Sequence, residues 1–498
     1  MIPLLTPDEM RAADARTIAA GTPEATLMDR AGRAIAWQVR RTLGGTYGRH
    51  VVVVCGKGNN GGDGRIAAAV LDGWGVHVEL VDLDGSVNAR TERRVARADC
   101  IVDAMFGTGF RGSIDGTAAE LVALIGSVRS KTGARVVAVD IPSGVDGLTG
   151  ATRGPAITAD LTVTFAAAKP GLWLYPGRGH AGTVTVADIG IALGPDTRRA
   201  GVVEGSDVAG WLRPRPSVTH KWQSAVLVVG GSAGMTGAPM LASRAAMRAG
   251  AGMVWAVLPG DAARRASGTE VITRSLSDEG ARVLTEAGAV ELCDLVGDSS
   301  SRFGSVVMGP GLGRHVETIA AVRTLVACVA VPLVLDADGL AAVAGRFEML
   351  AARPAPTVLT PHDGEYAGLR GAAVGDDRPD AARGLAAETQ CVVLLKGPTT
   401  VIAAPDGRVA LNPTGTPALA TAGTGDVLSG IIGAFIAEGM NAFDAAAAAA
   451  FVHGRAAQRG GHTGLLAGDL PDAVALVLHD LVEHRGGARS GDHRGLEA

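Results

Sequence analysis

The sequence predicts an α/β fold of two domains in tandem, each with a mostly parallel sheet covered by helices. Short runs of Val, Leu and Ile alternate with segments of helical pattern in both halves of the 498-residue chain. Such alternation is typical of parallel sheets that carry helices on both faces. Because aromatic residues make up only 3% of the chain, the cores must consist mainly of smaller aliphatic side chains.

In the first 200 residues, six apolar runs predict the strands of one sheet. Each run is separated from the next by enough residues for the crossover that parallel strands require. The predicted strands are 50–55, 76–81, 100–104, 135–139, 161–165 and 183–186. This pattern indicates a Rossmann-like three-layer α/β/α domain over residues 1–200.

The second half repeats the alternation and adds a hairpin. The predicted strands are 225–229, 253–258, 305–308, 332–335, 356–359 and 392–395. The segment "TTVIAAPDGRVAL" at 399–411 predicts two antiparallel strands, because Pro405-Asp406-Gly407 is a turn signal between apolar runs. A second three-layer α/β/α domain is therefore expected over residues 221–480.

The alternation lapses between the two halves and again at the carboxyl terminus. The segment 194–221 holds three prolines and four arginines, which indicates a domain boundary near residue 200 and a linker over 201–220. The last segment, 481–498, is polar and rich in glycine. We expect this tail to be disordered.

Composition narrows the classes of function. The net charge is −4 and no basic cluster dominates, which argues against nucleic acid as the main partner. The opening "MIPLLTPDEMRAAD" has no signal-peptide pattern, and no apolar run is long enough to cross a membrane. Five dispersed cysteines without a C-x-x-C pair predict small buried side chains in a reducing cytoplasm and no zinc site: Cys55, Cys100, Cys293, Cys328 and Cys391.

The first glycine-rich loop, "GKGNNGGDG" at 56–64, raises two alternatives. Its G-x-G-x-x-G spacing, followed by Asp82 or Asp84 about 20 residues on, is typical of nicotinamide-dependent dehydrogenases. Asp63 argues against that interpretation, because a carboxylate there would repel a pyrophosphate and compete for the same backbone N–H groups. Asp63 could instead be a helix N-cap.

Two further strand ends carry polar side chains that could join this loop. Asp103 follows one apolar run in "VDAMFGTGFRG", and Asp140 and Ser143 follow another in "VDIPSGVDG". Ligands of open α/β sheets bind outside the carboxyl ends of the strands. Asn60, Asp103 and Ser143 would supply hard oxygen ligands for a cation, and Asp140 could exchange a proton with a substrate. Each of these residues, taken alone, could also be a turn residue.

The strongest chemical signal of the chain is "ATAGTGDVLSG" in the second half. It is rich in glycine and leads directly into an apolar helix. The backbone N–H groups of Gly423, Thr424 and Gly425 would form an anion hole for a transferring phosphoryl group. Asp426 at its edge could take the proton from an attacking hydroxyl, or could simply cap the helix.

Other polar residues are expected beside this helix start. Lys396 ends an apolar strand and could reach nucleotide phosphates. Glu365 could bear on a phosphate-bound Mg²⁺, and His362 could orient a substrate or serve only in a turn. The glycine-rich segments 230–241 and 309–314 follow strands and would let a large ligand approach the backbone.

The first domain resembles the epimerase domain of the NAD(P)H-hydrate repair enzymes. The resemblance rests on "GKGNNGGDG", "VDAMFGTGFRG" and "VDIPSGVDG", with "LMDRAG" upstream, and covers nearly all of residues 1–200. It implies interconversion of the R and S epimers of hydrated NADH and NADPH, with a potassium ion held by Asn60, Asp103 and Ser143. The residues that it places on the hydrate are Asn59, Asn60, Gly61, Gly62, Asp63, Gly107, Thr108, Gly109, Phe110, Arg111, Gly112, Ser113 and Asp140.

The second domain resembles the ribokinase-like kinases, and more specifically their NAD(P)H-hydrate dehydratase branch. The motifs are "HKWQSAVLVVGGSAGMTGAPML", "LDADGL", "TPHDGE" and "ATAGTGDVLSG", and the resemblance covers about residues 206–480. It implies that Ala238, Gly311 and His362 contact the hydrate and that Asp426 contacts the reacting hydroxyl. The nucleotide would contact Lys396, Gly397, Pro398, Thr399, Thr400, Gly423, Thr424 and Gly425.

Two residues depart from this family's pattern. Asp363 stands where proline is common, and Trp222 stands where a small residue is usual. The resemblance otherwise implies a bifunctional epimerase and dehydratase that uses ADP rather than ATP, together with Mg²⁺ and K⁺. Its partners would be ADP and the hydrated forms of NADH and NADPH, abbreviated NADHX and NADPHX. No nucleic acid or membrane would be bound, and the chain would form a homo-oligomer.

Three other classes of function compete with this interpretation. One is a ribokinase-like small-molecule kinase whose first domain is a non-catalytic nucleotide-binding module. The second is non-enzymatic and makes the first domain a nucleotide-sensing or protein-binding module. The third is a nicotinamide-dependent dehydrogenase, which the second half does not favour because it shows no hydride-acceptor site. A kinase would leave a stable phosphorylated product, whereas repair releases phosphate and restores the reduced nicotinamide.

Overall fold

The computed structural model describes residues 1–83, 87–194, 199–266, 270–276, 280–297, 302–461 and 463–487. The chain divides into two compact units. The first unit is Ile2–Ala200, and the second is Gly201–Ala498 together with Met1. The boundary falls at the position that the sequence indicated, near residue 200.

The first unit alternates strands and helices. In chain order these are β1 (Ile2–Pro3), α1 (Pro7–Ala19), α2 (Glu24–Leu43), β2 (His50–Cys55), α3 (Asn59–Gly73), β3 (His77–Asp82), α4 (Ala89–Ala96), β4 (Cys100–Ala104), α5 (Gly116–Thr132), β5 (Arg135–Val139), β6 (Leu161–Phe165), α6 (Gly177–Ala181) and β7 (Thr183–Ala187).

The sheet of the first unit is parallel throughout and has the order β3-β2-β4-β5-β6-β7. All residues of β4 and most of β2 are buried, as expected for strands with helices on both faces. The chain leaves β2 toward β3 on one side and returns through β4 on the other. The carboxyl ends of β2 and β4 therefore form a topological switch point, where open α/β sheets bind ligands.

The second unit is larger and follows the same plan. Its elements are β8 (Ala200–Val202), α7 (Gly205–Trp211), β9 (Ala225–Val229), α8 (Gly237–Arg248), β10 (Met253–Leu258), α9 (Gly260–Arg265), β11 (Ile272–Ser275), α10 (Glu286–Gly297), β12 (Phe303–Met308), α11 (Val316–Cys328), β13 (Leu333–Leu335), α12 (Asp338–Ala342), α13 (Phe347–Ala351), β14 (Thr357–Leu359), α14 (Asp363–Arg370), α15 (Arg378–Thr389), β15 (Val392–Leu395), β16 (Thr400–Ala403), β17 (Val409–Asn412), α16 (Thr424–Ala437), α17 (Ala442–Arg459) and α18 (Leu470–Gly487).

Within this unit the strand order is β8-β17-β16-β15-β14-β13-β12-β9-β10-β11. The strands from β11 to β15 pair in parallel, whereas β15, β16 and β17 pair antiparallel. The β16–β17 turn closes with a hydrogen bond from the Gly407 N–H to the Ala404 carbonyl (3.0 Å). The predicted hairpin is confirmed.

Helix α16 is the central helix of the second unit, because it is buried on almost every side. Two glycines let it approach its neighbours. A Cβ at Gly430 would lie 2.0 Å from the Ala242 carbonyl oxygen of α8, and one at Gly433 would lie 2.5 Å from Val307 of β12. This contact fixes the start of α16, and thus Asp426, against the sheet.

Several predicted boundaries need correction. The expected linker over 201–220 holds the end of β8 and all of α7. Strands β1, β8 and β11 were not predicted, since they are short or edge strands with a weak apolar signal. Helix α18 continues to Gly487, seven residues into the tail that was expected to be disordered from 481. The rest of that tail, 488–498, lies outside the described residues.

The cysteine prediction is wrong for two of the five residues. Cys293 of α10 and Cys328 of α11 form a disulfide, with their Cα atoms 5.9 Å apart. Cys55, Cys100 and Cys391 are free and buried. The pair is 35 residues apart in sequence, so only the packing of α10 on α11 brings the two sulfurs together. Cysteine usage therefore gives no argument for a reducing compartment.

In the part of the chain that the structure describes, every helix is too short or too polar to cross a bilayer.

The Gly430 contact predicts a stability effect. Gly430→Ala should lower the free energy of unfolding by about 1–3 kcal/mol, because the new methyl group meets a backbone carbonyl that cannot yield easily. Gly384 of α15 is the matched control, since a Cβ there meets nothing within 4 Å. Gly384→Ala should stabilise by about 0.5–1 kcal/mol through helix propensity. Urea unfolding followed by circular dichroism measures both; equal effects would contradict the packing argument.

Two candidate active sites

The first candidate site is a cavity of about 820 Å³ at the switch point of the first sheet. Loops that follow β2, β4 and β5 meet there, as the sequence predicted. Of the predicted residues, those that line it are Asn59, Asn60, Asp63, Gly107, Thr108, Gly109, Phe110, Arg111 and Asp140. Gly61, Gly62, Gly112 and Ser113 do not line this cavity.

Helix α3 begins inside the glycine-rich loop rather than after it. Gly58 is its N-cap, and Asn59 is its first residue. Asn59 and Asn60 therefore belong to the first turn, whose N–H groups can bind an anion. Gly61 packs under this turn, where a Cβ would lie 2.0 Å from the Gly56 carbonyl oxygen. Asp63 is the fifth helical residue, so it is not an N-cap.

Asp63 has an electrostatic environment that the sequence did not reveal. Burial, followed by the charges of Asp140 and Asp14, raises the pKa of Asp63 to about 8. At neutral pH this carboxyl group is therefore mostly protonated and can donate a hydrogen bond. The repulsion of a pyrophosphate expected from the sequence does not apply to the protonated acid.

Asp140 has a constrained geometry at the end of β5. Its φ of 65° lies in the left-handed region, which non-glycine residues rarely adopt. Its carboxylate contacts Lys169 Nζ at 2.7 Å and accepts a hydrogen bond from Thr164 Oγ1 at 2.9 Å. Burial alone would raise the pKa of Asp140, but the charge of Lys169 and these hydrogen bonds, with one from the Thr108 backbone, outweigh it and lower the pKa.

Lys169 was missed by the sequence analysis. It lies four residues after β6, its side chain is only 1% exposed, and its Nζ also donates to Thr164 Oγ1 (2.8 Å) and to the Phe165 carbonyl (3.2 Å). A lysine is almost never buried without a charge partner. "FAAAKPG", a lysine soon after a strand end, was a signal comparable with that of Lys396. Asp14 of α1 also lines the cavity, and burial raises its pKa.

Asp103 and Ser143 meet beneath the cavity, as predicted. Ser143 Oγ donates to Asp103 Oδ1 at 2.6 Å, and the Ser143 N–H donates to Oδ2 at 2.8 Å. Asp103 is fully buried, which raises its pKa to about 6 against the lowering effect of these hydrogen bonds. Asn60 lies near Gly107 and its Nδ2 is buried without a hydrogen-bond partner among the described residues.

The second candidate site is centred on Asp336, directly after β13. Its carboxylate accepts hydrogen bonds from Thr360 Oγ1 (2.7 Å) and Ser429 Oγ (2.5 Å) and pairs with Lys396 Nζ (3.0 Å). Lys396 also contacts Glu365 at 3.4 Å. Burial would raise the pKa of Asp336, but Lys396 and the two hydroxyls lower it.

Asp336 was not among the predicted site residues, although "LDADGL" was noted as a motif. It occupies the same place as Asp103 and Asp140 in the first unit, since each lies at or directly after the end of an apolar parallel strand. That rule could have found it from the sequence.

The start of α16 lies beside this cluster. Gly423 is its N-cap with φ of 90°, and no side chain caps the helix. The Thr424 N–H donates to the Thr421 carbonyl at 3.3 Å, so it is not free for an anion, contrary to the predicted hole. Gly425 and Asp426 follow in the first turn, where N–H groups precede the helix's own hydrogen bonds.

Asp426 is not the N-cap but the third helical residue. Burial and then the charge of Asp336 raise its pKa to about 7, although Lys396 opposes this. Near neutral pH the carboxyl group is therefore present in both its protonated and its ionised form, as general acid–base catalysis requires.

His362 and Glu365 form the amino-terminal cap of α14. His362 Nδ1 accepts from the N–H groups of Gly364 (3.0 Å) and Glu365 (3.2 Å), and Glu365 Oε2 accepts from the His362 N–H (2.9 Å). His362 thus has a structural task besides any contact with substrate. Its side chain is 59% exposed, which leaves the ring open to a ligand.

The remaining predicted contacts lie on adjoining loops. Gly311 has φ of 67°, and a Cβ there would be 3.3 Å from Cβ of Ala238, so these two residues are neighbours. Arg378 lies against Gly397, donates to the Lys396 carbonyl (2.8 Å) and pairs with Asp363. Thr399 is buried and Thr400 begins β16; Pro398 lies between them and Gly397.

The two departures from the family pattern have structural tasks. Asp363 holds Arg378 through a contact of 2.9 Å. Trp222 packs on Trp255 and Phe303, with ring centroids 6.1 and 5.9 Å away.

The dehydrogenase alternative loses its acidic residue. Asp82 pairs with Arg65 at 2.5 Å on the surface of the unit, whereas Asp84 lies outside the described residues.

Fold and sites together define a two-domain α/β enzyme with acid–base groups at the strand ends of each unit. Residues 226–475 match the family described as NAD(P)H-hydrate dehydratase, and residues 24–93 and 81–171 match the YjeF-related protein N-terminus.

Relatives match over nearly the whole chain. The bifunctional NAD(P)H-hydrate repair enzyme Nnr of Moorella thermoacetica is 39% identical, covering 93% of this chain and 93% of its own. That of Mycobacterium tuberculosis is 40% identical over 88% of this chain and 90% of its own. An ADP/ATP-dependent NAD(P)H-hydrate dehydratase from Bacillus subtilis, co-crystallised with ATP and Mg²⁺, is 30% identical with a TM-score of 0.49, over 56% of this chain and 97% of that chain.

The chain belongs to the family of bifunctional NAD(P)H-hydrate repair enzymes, which combine epimerisation and dehydration of hydrated nicotinamide nucleotides. The chain therefore belongs neither to the dehydrogenases nor to the simple small-molecule kinases.

The buried Lys169–Asp140 pair predicts strong coupling. Lys169→Met should lower the free energy of unfolding by about 3–5 kcal/mol, because it leaves a buried carboxylate unpaired. Asp140→Asn should also destabilise, although asparagine tolerates the left-handed backbone. The double variant should lose clearly less than the sum of the two single losses. Chemical denaturation of the four proteins measures the cycle; additive losses would contradict a direct pair.

Proposed function

We propose that the second unit dehydrates the hydrated nicotinamide nucleotide by phosphorylating it, with Asp426 as the base. The observation that carries this proposal is Asp426 itself. It lies in the first turn of α16, its pKa is raised to about 7, and Lys396 is within electrostatic reach. A base that faces an anion-binding helix start is the arrangement that phosphoryl transfer to an alcohol needs.

The reaction divides into two balanced steps. Asp426 accepts the proton of the 6-hydroxyl as its oxygen bonds to the terminal phosphorus of the donor, and the nucleotide leaves with one phosphate fewer. The lone pair of the ring nitrogen then forms the double bond to carbon 6, phosphate departs, and loss of the carbon 5 proton restores the dihydropyridine. Phosphate is the better leaving group, which is the reason for the first step. With ADP as donor, the products are NADH or NADPH, AMP and phosphate.

The charges around Lys396 fit a divalent cation. Asp336, Glu365 and Asp426 all interact with Lys396, so three carboxyl groups share one ammonium charge. Mg²⁺ on the donor phosphates would balance this excess and stabilise the charge of the transferring group. Glu365, whose side chain is 11% exposed, is the residue that we propose to face the phosphate-bound Mg²⁺.

In the first unit, we assign Asp140 as the base and Asp63 as the acid of epimerisation. Asp140 has a lowered pKa and Asp63 a raised one, and both line the same cavity. Paired groups with separated pKa values divide acid and base tasks. As Asp140 takes the proton of the 6-hydroxyl, carbon 6 would become an aldehyde and its bond to the ring nitrogen would break, while Asp63 gives its proton to that nitrogen. Reclosure on the other face gives the second epimer.

The donor set of Asn60, Asp103 and Ser143 fits a monovalent cation. Asp103 is fully buried and pairs with no cationic side chain among the described residues. A K⁺ ion at this place would supply the missing charge and hold the loops after β4 and β5 together. The remaining proposals are those of the family resemblance: ADP as preferred donor, repair of both NADHX and NADPHX, and a homo-oligomer.

Asp426→Asn should lower kcat/KM for dehydration about 10²–10⁴-fold, as for loss of a general base. The assay follows absorbance at 340 nm with S-NADHX, Mg²⁺ and either ADP or ATP, and measures free phosphate. Recovery of NADH with one phosphate per turnover distinguishes repair from a kinase, which would accumulate a phosphorylated compound. Epimer exchange in the same variant should stay normal.

In the native enzyme, kcat/KM should fall about tenfold per pH unit below pH 7, because Asp426 must be ionised to accept a proton. Glu438→Gln is the matched control, since burial also raises the pKa of Glu438 to about 7 but this residue ends α16 rather than beginning it. If Glu438→Gln removed the pH dependence, the assignment to Asp426 would fail.

Asp140→Asn should lower epimer exchange about 10²–10⁴-fold and leave dehydration of the S epimer intact. Given a mixture of both epimers, this variant should restore only the S fraction quickly, and the R fraction at the spontaneous rate. Chromatography of the two epimers over time measures the exchange. Native exchange rates in the variant would exclude Asp140 as the base.

A further inference from the structure

A second cavity of the first unit lies at the opposite ends of the strands from the epimerase site. Its volume is about 510 Å³, and it is lined by Arg49, by a face of α4 and by His50, His77 and Glu79. His50 and His77 are the first residues of β2 and β3 and are partners in the sheet register. The cavity therefore lies at the amino ends of these strands, whereas the epimerase site lies at the carboxyl ends. We call it the arginine cavity.

Helix α4 presents a stripe of positive charge to the arginine cavity. Arg93, Arg94 and the C-cap residue Arg97 follow Arg90 by three, four and seven residues, which places the four side chains on one face of the helix. Arg94 contacts Glu79 at 3.2 Å. The other three are exposed and have no carboxylate partner among the described residues. A charged helix face is usually only solvated, but this one borders a concave pocket that also holds two imidazoles.

The histidines and Glu79 also resemble a metal site, because one ligand atom of each lies within 4.8 Å of the others. The surrounding charge argues against a cation. The Glu79 oxygens lie within ion-pair distance of Arg94 Nε (3.2 Å) and of His50 Nε2 (3.3 Å). Five arginines and one carboxylate line the cavity, and one of the five, Arg49, also pairs with Asp99 at 3.5 Å. Four arginines of positive charge against Glu79 remain, so a divalent cation would meet repulsion, whereas an anion with several charges would relieve it.

We propose that the arginine cavity binds a small polyphosphate anion of the pyrophosphate type. Guanidinium groups bind phosphate oxygens in a bidentate manner, and His50 and His77, which also line the cavity, can each donate a ring N–H. The excess of positive charge calls for more than one phosphate group. The volume of about 510 Å³ holds a diphosphate, either free or as part of a nucleotide.

The test compares pyrophosphate binding to the full chain and to the triple variant Arg90→Gln, Arg93→Gln, Arg97→Gln. Isothermal titration calorimetry is performed at constant ionic strength without divalent metal. The native protein should show a binding event that the triple variant lacks or makes at least tenfold weaker. Because the three arginines are exposed and unpaired with carboxylates, the variant should fold and keep both repair activities.

The matched control removes the same charge elsewhere. Arg41→Gln, Lys131→Gln, Arg383→Gln changes three exposed cations outside the cavity lining and should bind pyrophosphate like the native protein. An equal loss in this control would show only a general charge effect and would overturn the proposal. Parallel titrations with ADP and adenosine distinguish free from nucleotide-borne diphosphate, and adenosine alone should give no difference between native and variant protein.

Two further outcomes would overturn the proposal. One is an unchanged pyrophosphate isotherm in the triple variant. The other is tight binding of Zn²⁺ that His50→Ala abolishes, with no pyrophosphate difference, because the cluster would then be a metal site. Failure of the proposed repair activity would not affect either measurement, since the arginine cavity contains none of the residues assigned to the two reactions.

Discussion

Both units depend on the same electrostatic constraint, a buried carboxylate after a parallel strand whose charge one lysine balances. In the first unit this pair is Asp140 and Lys169, and in the second it is Asp336 and Lys396. A buried carboxylate without such a partner would take up a proton or destabilise the fold. The lysine therefore keeps the acid ionised within a desolvated site.

The ionised carboxylate then sets the properties of a second one. Its charge adds to burial in raising the pKa of Asp63 in one unit and of Asp426 in the other. Each site thus holds one carboxyl group that stays ionised and one whose pKa is raised to near neutral pH. This combination suits proton transfer at physiological pH. The strained backbone of Asp140 and the glycine contacts of α16 are the structural costs of holding these groups in place.

The two activities of the family explain why such sites occur on one chain. In the mechanism proposed above, epimerisation moves a proton on and off a hydroxyl and needs an acid and a base, with no phosphoryl donor. Dehydration, in the same proposal, needs a base together with a helix start and cations for phosphate. The first unit accordingly builds its site on three strand-end loops and α3, and the second adds the amino terminus of α16 and Lys396.

The sequence by itself determined the strand–helix alternation, the boundary near residue 200 and most of the loops that carry chemistry. It could do so because apolar runs, glycine turns and polar strand ends are local patterns. The sequence also identified candidate site residues, since each lies at the start or the end of a clearly patterned element: Asp103, Asp140, Ser143, Lys396 and Asp426. The short strands β1, β8 and β11 were not predicted, because pairing with neighbouring strands rather than an apolar pattern of their own residues makes them strands.

Only the tertiary structure decided which charges meet. Lys169 approaches Asp140 from the loop that follows the next strand of the sheet, and Cys293 meets Cys328 across two packed helices. Contacts of this kind raise the pKa of Asp63, give the Thr424 N–H a carbonyl partner and make His362 the cap of α14. Desolvation and Coulomb energies depend on distances in space, which residue spacing along the chain does not encode.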